Sequence, residues 1–377
     1  MTTVEHAESL EPGRGRAAHA PTQIPGKGWK DILMRVWGEI SDDRVTLIAA
    51  GVTYYLLLAL FPALTAFVSV YGLVADPQTV TEHVQLLAGI LPGGGVEIIS
   101  GELQRLSSQS AGSLSVALII SILMALWSAS AGVKSLFEAM NVAYDEKETR
   151  GFIKLNALAL AFTLGGVIAA LLMIGVVIVL PAALSFLGLG TALEWVIRIA
   201  GYLAAAAIMT LGIAALYRWG PSRQVAKWRW ITPGAVLAIV VMLLVSLLFS
   251  WYVANFGNYN KTYGSLGALI GFLTWVWLSV TILVVGGELN SEIEHQTAED
   301  STTGPSRAMG QRGAKMADTL GRTSAGEGRD DHGYRDADGN YHEDRPHRRF
   351  SAGSLAVALP AALVLGWMQK RSRGGGR

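Results

Sequence analysis

No charged side chain occurs between Val45 and Ala75. At ~1.5 Å of rise per residue, a helix over that stretch is longer than the ~30 Å hydrocarbon core of a bilayer. The pattern recurs. Six charge-poor runs fall at Thr46–Leu73, Ser113–Val133, Ala157–Leu180, Trp195–Tyr217, Ile231–Val253 and Gly264–Val285. In lipid the backbone must satisfy its own polar groups, so such runs are helices. The expected fold is therefore all-α: a polytopic integral membrane bundle of six transmembrane helices.

Composition agrees, with 51% apolar and 16% charged residues, outside the range of ordinary soluble domains. A net charge of +1 offers no broad basic surface for nucleic acid, and none is expected as a partner. With no cysteine, disulfides, thiolate metal sites and cysteine nucleophiles are excluded.

Lysine and arginine are distributed unevenly among the connections. Lys134, Lys147, Arg150 and Lys154 lie between runs two and three, and Arg218, Arg223, Lys227 and Arg229 between runs four and five. The first connection has only Arg105, the third none and the fifth only Lys261. The positive-inside rule then places both ends of the six-span unit, and the N-terminus, in the cytoplasm. No short signal-peptide core precedes Val45, so the first span is expected to act as an uncleaved signal-anchor.

Four segments are expected along the chain. Residues 1–27 are rich in Gly, Pro and mixed charge and read as a disordered cytoplasmic tail. The membrane domain covers 28–294 and opens with "GWKDILMRVWGEI", in which Trp29, Ile32, Leu33, Val36, Trp37 and Ile40 recur at helical spacing. That pattern suits an amphipathic helix in the membrane interface, or one packed on soluble loops. Residues 295–350 read as a disordered charged linker, leaving a core that folds without anything after Glu294. "DADGN" (336–340) fails as a calcium loop, because Tyr341 and His347 stand where Gly and Glu are needed. The last segment, 351–377, carries an apolar run from Ser351 to Met368 with basic residues on both sides. It reads as a seventh span, a re-entrant segment or an interfacial anchor.

Polar residues within such a bundle are costly, and they either glue helices or line a path. Thr53, Tyr54, Tyr55 and Pro62 fall in the middle of the first span. Tyr55 is expected to face the interior, beside the carbonyl that Pro62 leaves without an amide donor. Asn141, Tyr144, Glu148 and Arg150 sit just below span two as a tied helix end or a gate. On the outer side Asn255, Tyr259, Lys261 and Tyr263 form a turn or a vestibule. Glu288 and Asn290 lie at the inner end of span six. Glu288 should find a basic partner, with Lys134, Arg150 and Arg223 the candidates. Gly165 with Gly166, and Gly267 with Gly271, are expected to allow close helix approach.

Several stretches in order carry a resemblance: "AAGVTYYLLLALFPAL", "WSASAGVKSLFEAMNVAYDEKETRGF", "GPSRQVAKWRWITPGAVLA", and "YNKTYGSLGALIGFLTWVWLS" leading into "GGELNSE". Together they resemble the YihY/BrkB family of bacterial inner-membrane proteins, over residues 28–294. The resemblance implies a multi-pass inner-membrane location. The family has also carried the labels "virulence factor" and "ribonuclease BN".

The nuclease label finds no chemistry in these residues. Six of the seven histidines (His6, His19, His295, His332, His342, His347) lie in the flanking segments, and His83 stands apart. None pairs with carboxylates at metal-ligand spacing, and neither a Ser-His-Asp set nor a phosphate-binding Gly-rich loop can be assembled. A non-enzyme without cofactors is expected. Two classes remain: a protein that moves a lipid-like molecule or small solute across the bilayer, and a structural or scaffolding protein of the envelope.

Overall fold

The computed structural model describes residues 3–71, 116–181, 191–256 and 265–323, with two short segments at 333–335 and 341–343. Helix α1 spans Thr3–Leu10, α2 Gly26–Asp42, α3 Val45–Tyr71, α4 Val116–Ala143 and α5 Phe152–Ile174. Then follow α6 at Thr191–Trp219, α7 at Trp228–Phe256, α8 at Ser265–His295 and the single turn α9 at Lys315–Asp318. A two-stranded antiparallel ribbon pairs Gly333–Arg335 with Tyr341–Glu343. Everything else regular is helical, as an all-α membrane bundle requires.

Among the described residues, four helical stretches are long and apolar enough to cross a bilayer: Phe152–Val177, Leu193–Trp219, Trp228–Tyr252 and Leu269–His295. A fifth is counted if α2 and the first part of α3, which meet at 60°, form one broken span. Six spans were expected. The second begins at Ser113, outside the described residues, and its helix α4 lies in the bundle against α3 and α5.

Helix α8 is central, packing against α7, α3, α2 and α4. Apolar transfer does not drive helices together in lipid, so contact depends on close packing and hydrogen bonds. Where backbones come close, glycine is present. A Cβ at Gly132 would lie 2.9 Å from the Ala59 Cβ, which brings α4 onto α3. A Cβ at Gly201 would lie 3.0 Å from the Val176 carbonyl, where α5 widens into a π-helical turn over Gly175–Val179. By contrast, Gly165 and Gly166 meet nothing within 4 Å, so the expected packing role falls on other glycines.

The largest buried cluster sits toward one end of the bundle. It includes Val45, Ala49, Val52, Phe137, Met140, Tyr144, Tyr217, Ile231 and Val284. This is the end bearing the basic loops after α4 and α6, and it is called the basic end below. Leu243, Leu244, Leu247, Leu248 and Trp251 on α7 are exposed, the surface expected against acyl chains.

The flanks differ from the sequence expectation. Residues 3–24 and 296–323 are not disordered but form a layer over the basic end. Arg16, 1% exposed, donates to the carbonyls of Gln296 and Gly321, and Gln296 donates back to the Arg14 carbonyl at 2.9 Å. Arg312 donates to the carbonyls of Ala298 and Ala317 at 2.7 and 2.6 Å. The Ser301 and Val225 backbones join the layer to the loop after α6. Low apolar content hid this order, because arginines saturated on backbone carbonyls supply it. The folded unit therefore continues past Glu294 to residue 323, and 351–377 lies outside the described residues.

Helix α2 has two faces. Ile32 and Val36 pack with Trp230, Leu289 and Ile293, while Leu33, Met34 and Trp37 point outward. The N-terminal segment crosses it at Gly28, where a Cβ would lie 2.2 Å from the Arg14 carbonyl. The helix thus packs on the layer along one edge and offers an apolar edge to the membrane interface along the other.

Candidate functional site

The first expected site straddles the middle of α3, and the structure divides it. Thr53 is buried, while Tyr54 and Tyr55 are 59% and 51% exposed, with their rings edge to face at 5.8 Å. The expectation that Tyr55 faces the interior is corrected. The inward stripe is Val45, Ala49, Val52, Thr53 and Ala59, small or β-branched residues that let α4 approach at Gly132. A phenol ring has no room there. Steric fit decides the orientation of α3 ahead of polarity. Pro62 lies within the helix and is half-buried.

Thr53 instead lines a cavity of about 460 Å³ between α3, α4, α5 and α8. Ala59, Ala129, Phe162, Thr163, Gly166, Phe272 and Val276 contribute to its wall, which contains no titratable side chain among the described residues. Its two hydroxyls are already used within their own helices. Thr53 donates to the Ala49 carbonyl at 2.7 Å and Thr163 to the Ala159 carbonyl at 2.9 Å. What remains is an oily surface.

The second site, on the basic end, is assembled largely as the sequence pattern suggested. The buried Asn141 amide donates to Glu148 Oε2 at 3.1 Å and accepts from the Ser222 backbone N–H at 2.7 Å. Arg150 engages both Glu148 oxygens, through Nε at 2.8 Å and Nη2 at 2.6 Å. It also caps the end of α6 through the carbonyls of Trp219 and Gly220. These bonds tie the loop after α4 to the loop after α6. Hydrogen bonds from Arg150 hold the Glu148 carboxyl down to about 2, against the opposing pull of burial. Asp145, with φ of +52°, turns the chain out of α4.

Tyr144 is fully buried beneath the Arg223 guanidinium, 4.7 Å from the ring centre. Burial raises its phenol well above the usual range, with Glu294 adding to the effect. Arg223 grips both Glu294 oxygens at 2.8 and 2.7 Å, and both side chains are buried, at 1% and 0% exposure. Burial lowers the basicity of Arg223, but Glu294 and Tyr144 outweigh it and the net shift is upward.

Asn290 clamps α7 to α8. It accepts from the Gly234 N–H at 2.8 Å and donates to the Ile231 carbonyl at 3.0 Å, on either side of Pro233. Gly234 and Gly286 let the two backbones meet there, and Tyr217 donates to the Leu283 carbonyl at 2.7 Å.

Glu288 contradicts its expectation. None of the three candidate bases holds it. Lys134 donates to Asn156, Arg150 binds Glu148, and Arg223 binds Glu294. Each base found a nearer acceptor, leaving Glu288 buried at 1% exposure among other acids. Sequence reasoning also missed the Arg223–Glu294 pair and the contact of Arg35 with Glu292. Their common signal was a carboxylate every few residues at the end of α8 (Glu288, Glu292, Glu294), each in need of a partner. Tyr263 and its turn lie outside the described residues.

Among the described residues, no group of three or more His, Asp or Glu side chains is arranged to hold a metal ion.

Comparison with known proteins bears on the whole of this arrangement. The family described as virulence factor BrkB matches residues 36–310, well over half of the chain. The ribonuclease-like protein YfkH of Bacillus subtilis is 29% identical over 259 residues, covering 64% of this chain and 88% of that protein. The UPF0761 membrane protein XAC0937 of Xanthomonas axonopodis is 28% identical over 265 residues, covering 68% of this chain. The match extends over 60% of that relative's own length, and a Xanthomonas euvesicatoria relative is covered to 59%. No solved structure matches significantly. With a family match that takes in α3 to α8, the cavity and the polar basic end, this chain is an integral membrane protein belonging to the BrkB virulence factor family.

Proposed function

We propose that the protein moves a lipid-like molecule across the bacterial inner membrane, with the hydrocarbon part of that molecule in the cavity between α3, α4, α5 and α8. One observation carries this reading: a cavity of about 460 Å³ whose polar wall groups among the described residues, Thr53 and Thr163, are spent on their own helices. A hydrated ion or polar solute would meet no partner there, and desolvating it would be costly. An acyl or isoprenoid chain loses nothing. The residues are read as non-enzymatic, and the ribonuclease label stays with the relatives that bear it.

The test is lipid scrambling in proteoliposomes. Gly166 borders the cavity and a Cβ there meets nothing within 4 Å, so Gly166→Leu fills the space without forcing helices apart. Its thermal unfolding should match wild type, while scrambling should slow by about tenfold or more, equivalent to ~1.4 kcal/mol of added barrier. Wild-type protein that scrambles no lipid, or a Leu variant that scrambles normally, would overturn the proposal. The first result would favour the scaffolding role.

Orientation belongs to the same proposal. The Lys315–Asp145 and Arg223–Glu294 contacts, with the Arg16 bonds to the Gln296 and Gly321 carbonyls, gather both flanks and the loops after α4 and α6 at one end. The lysine and arginine bias assigns that end to the cytoplasm. Reporter fusions after Arg150 and Lys227 are expected to read inside, and a fusion after Gly101 outside. The inverse pattern would refute this orientation.

A further inference from the structure

Lys134 of α4 is left among neutral partners. Arg35, Arg150, Arg223 and Lys315 each hold a carboxylate. The Lys134 ammonium instead donates to Asn156 Oδ1 at 2.9 Å and lies 5.8 Å from the centre of the Trp127 ring. Among the described residues no carboxylate pairs with it. Glu138, one turn further along α4, is exposed and turns elsewhere. An ammonium carries three N–H donors. One is spent on Asn156, whose own amide nitrogen donates to the Phe152 carbonyl at 2.8 Å, so that its oxygen is held toward Lys134. The other two donors have no acceptor among the described residues. An uncompensated charge in or beside a span is costly, and such charges mark ligand paths.

Its position connects it with the cavity. Lys134 directly follows Val133, which belongs to the cavity wall. Asn156 shares the buried face of α5 with Ala159, Thr163 and Val167, and the last two line the cavity. Asn156 lies nearer the basic end than Thr163 by ~10 Å of helix. Trp127 is 50% exposed, so the amine sits at an edge of the bundle and not in its closed interior. A cation with free donors thus stands between an oily cavity and the basic end. A phospholipid has the same order of parts, with apolar chains joined to a charged phosphate. Charge complementarity selects the headgroup. A net-anionic headgroup balances the amine, whereas choline would bring a second cation to it.

We propose that Lys134, steadied by Asn156, binds the phosphate of an anionic phospholipid whose chains enter the cavity. This rests on the reading of the cavity as a lipid site and adds the headgroup class.

Thermal unfolding of the full-length protein in detergent, titrated with lipid, reads binding without any transport. Wild type should melt higher with phosphatidylglycerol than with phosphatidylcholine at equal concentration, and inorganic phosphate should give no shift. Lys134→Gln keeps an amide donor for Asn156 but removes the charge. Its apparent affinity for phosphatidylglycerol should fall about tenfold or more, the loss of one charge-assisted hydrogen bond. Asn156→Asp supplies the missing carboxylate and should cause the same loss while still tying α4 to α5. A purely structural Lys134 predicts a different pattern, in which Asn156→Asp leaves the lipid response as it was.

Two variants are used so that failure of one to fold leaves the other decisive. Three results would each overturn the headgroup site: equal wild-type responses to the two lipids, a matching shift with inorganic phosphate, or a folded variant that responds to phosphatidylglycerol as wild type does. Scrambling assays separate this from failure of transport. Wild-type protein that scrambles nothing, yet binds phosphatidylglycerol through Lys134, would sink transport and keep the site. Normal scrambling with unaltered lipid binding in the variants would do the reverse.

Discussion

Alanine at Gly234 is expected to unfold the basic end of the bundle, or to prevent accumulation of the protein in the membrane. The added Cβ would stand 2.1 Å from the Gly286 carbonyl oxygen and 2.6 Å from the Asn290 amide. Neither obstacle is the loose tip of a long side chain. The first is helix backbone, and the second is held at both ends by its bonds to Gly234 and Ile231. Relief requires α7 and α8 to separate, which also strains the Tyr217–Leu283 bond. Overpacking alone costs ~1–3 kcal/mol, and loss of the buried amide clamp adds ~1–3 kcal/mol. A control exists in the same protein. Gly165 meets nothing within 4 Å, so Gly165→Ala should be neutral, or stabilising by up to ~1 kcal/mol through helix propensity. Thermal unfolding in detergent compares the two, and a Gly234→Ala protein that melts like wild type would refute the close approach.

The contrast between these glycines shows what the sequence could reveal. Apolar runs announce helices because lipid leaves the backbone no alternative, and the helices α3 to α8 stand where those runs fell. Which glycine meets a neighbour depends on helix rotation and crossing, which no single run records. Gly165 and Gly166 looked like a packing motif and meet nothing within 4 Å, while Gly234 and Gly286 lie in stretches that carry the family resemblance but no expected packing role. The same blindness governs Tyr55. Its polarity argued for the interior, yet the rotation of α3 is set by the row of small residues from Ala49 to Ala59 that α4 needs. Thr53, a weaker signal, is the member of that cluster that reaches the cavity.

Local connectivity made the other site easier to read. Asn141, Glu148 and Arg150 are close in sequence, so a single loop brings them together, and only their partners at the end of α6 and in the loop after it had to come from elsewhere. Arg223 and Glu294 are 71 residues apart, and nothing in either neighbourhood names the other. The flanks were misread for a different reason. Apolar content measures one way of ordering a chain, whereas Arg16 and Arg312 order theirs by donating several hydrogen bonds each to backbone carbonyls. A guanidinium presents five N–H donors in a rigid fork, so a few arginines can fasten a layer with little apolar core. Glycines at positive φ such as Gly15, at +84°, supply its turns.

Breaking the Arg223–Glu294 pair is the other large effect expected, and its pattern matters more than its size. Both side chains are buried, at 1% and 0% exposure, so removing one leaves the other charged without a partner in a region poor in water. Such single losses cost ~3–5 kcal/mol, whereas replacing both members with apolar groups of similar volume is often close to neutral. Arg223→Met would strand Glu294, which keeps only the Ser301 hydroxyl at 2.6 Å. Glu294→Leu would strand a guanidinium stacked on the buried Tyr144 ring. Each single variant should therefore melt far below wild type. The double variant should recover most of the loss, short of full recovery because Ser301 then lacks its acceptor and the loops after α4 and α6 lose part of their tie to α8. A double-mutant cycle on unfolding free energy reads the coupling directly. If the double variant falls by the sum of the two singles, the charges act independently and the pair does not fasten α8 to the basic end.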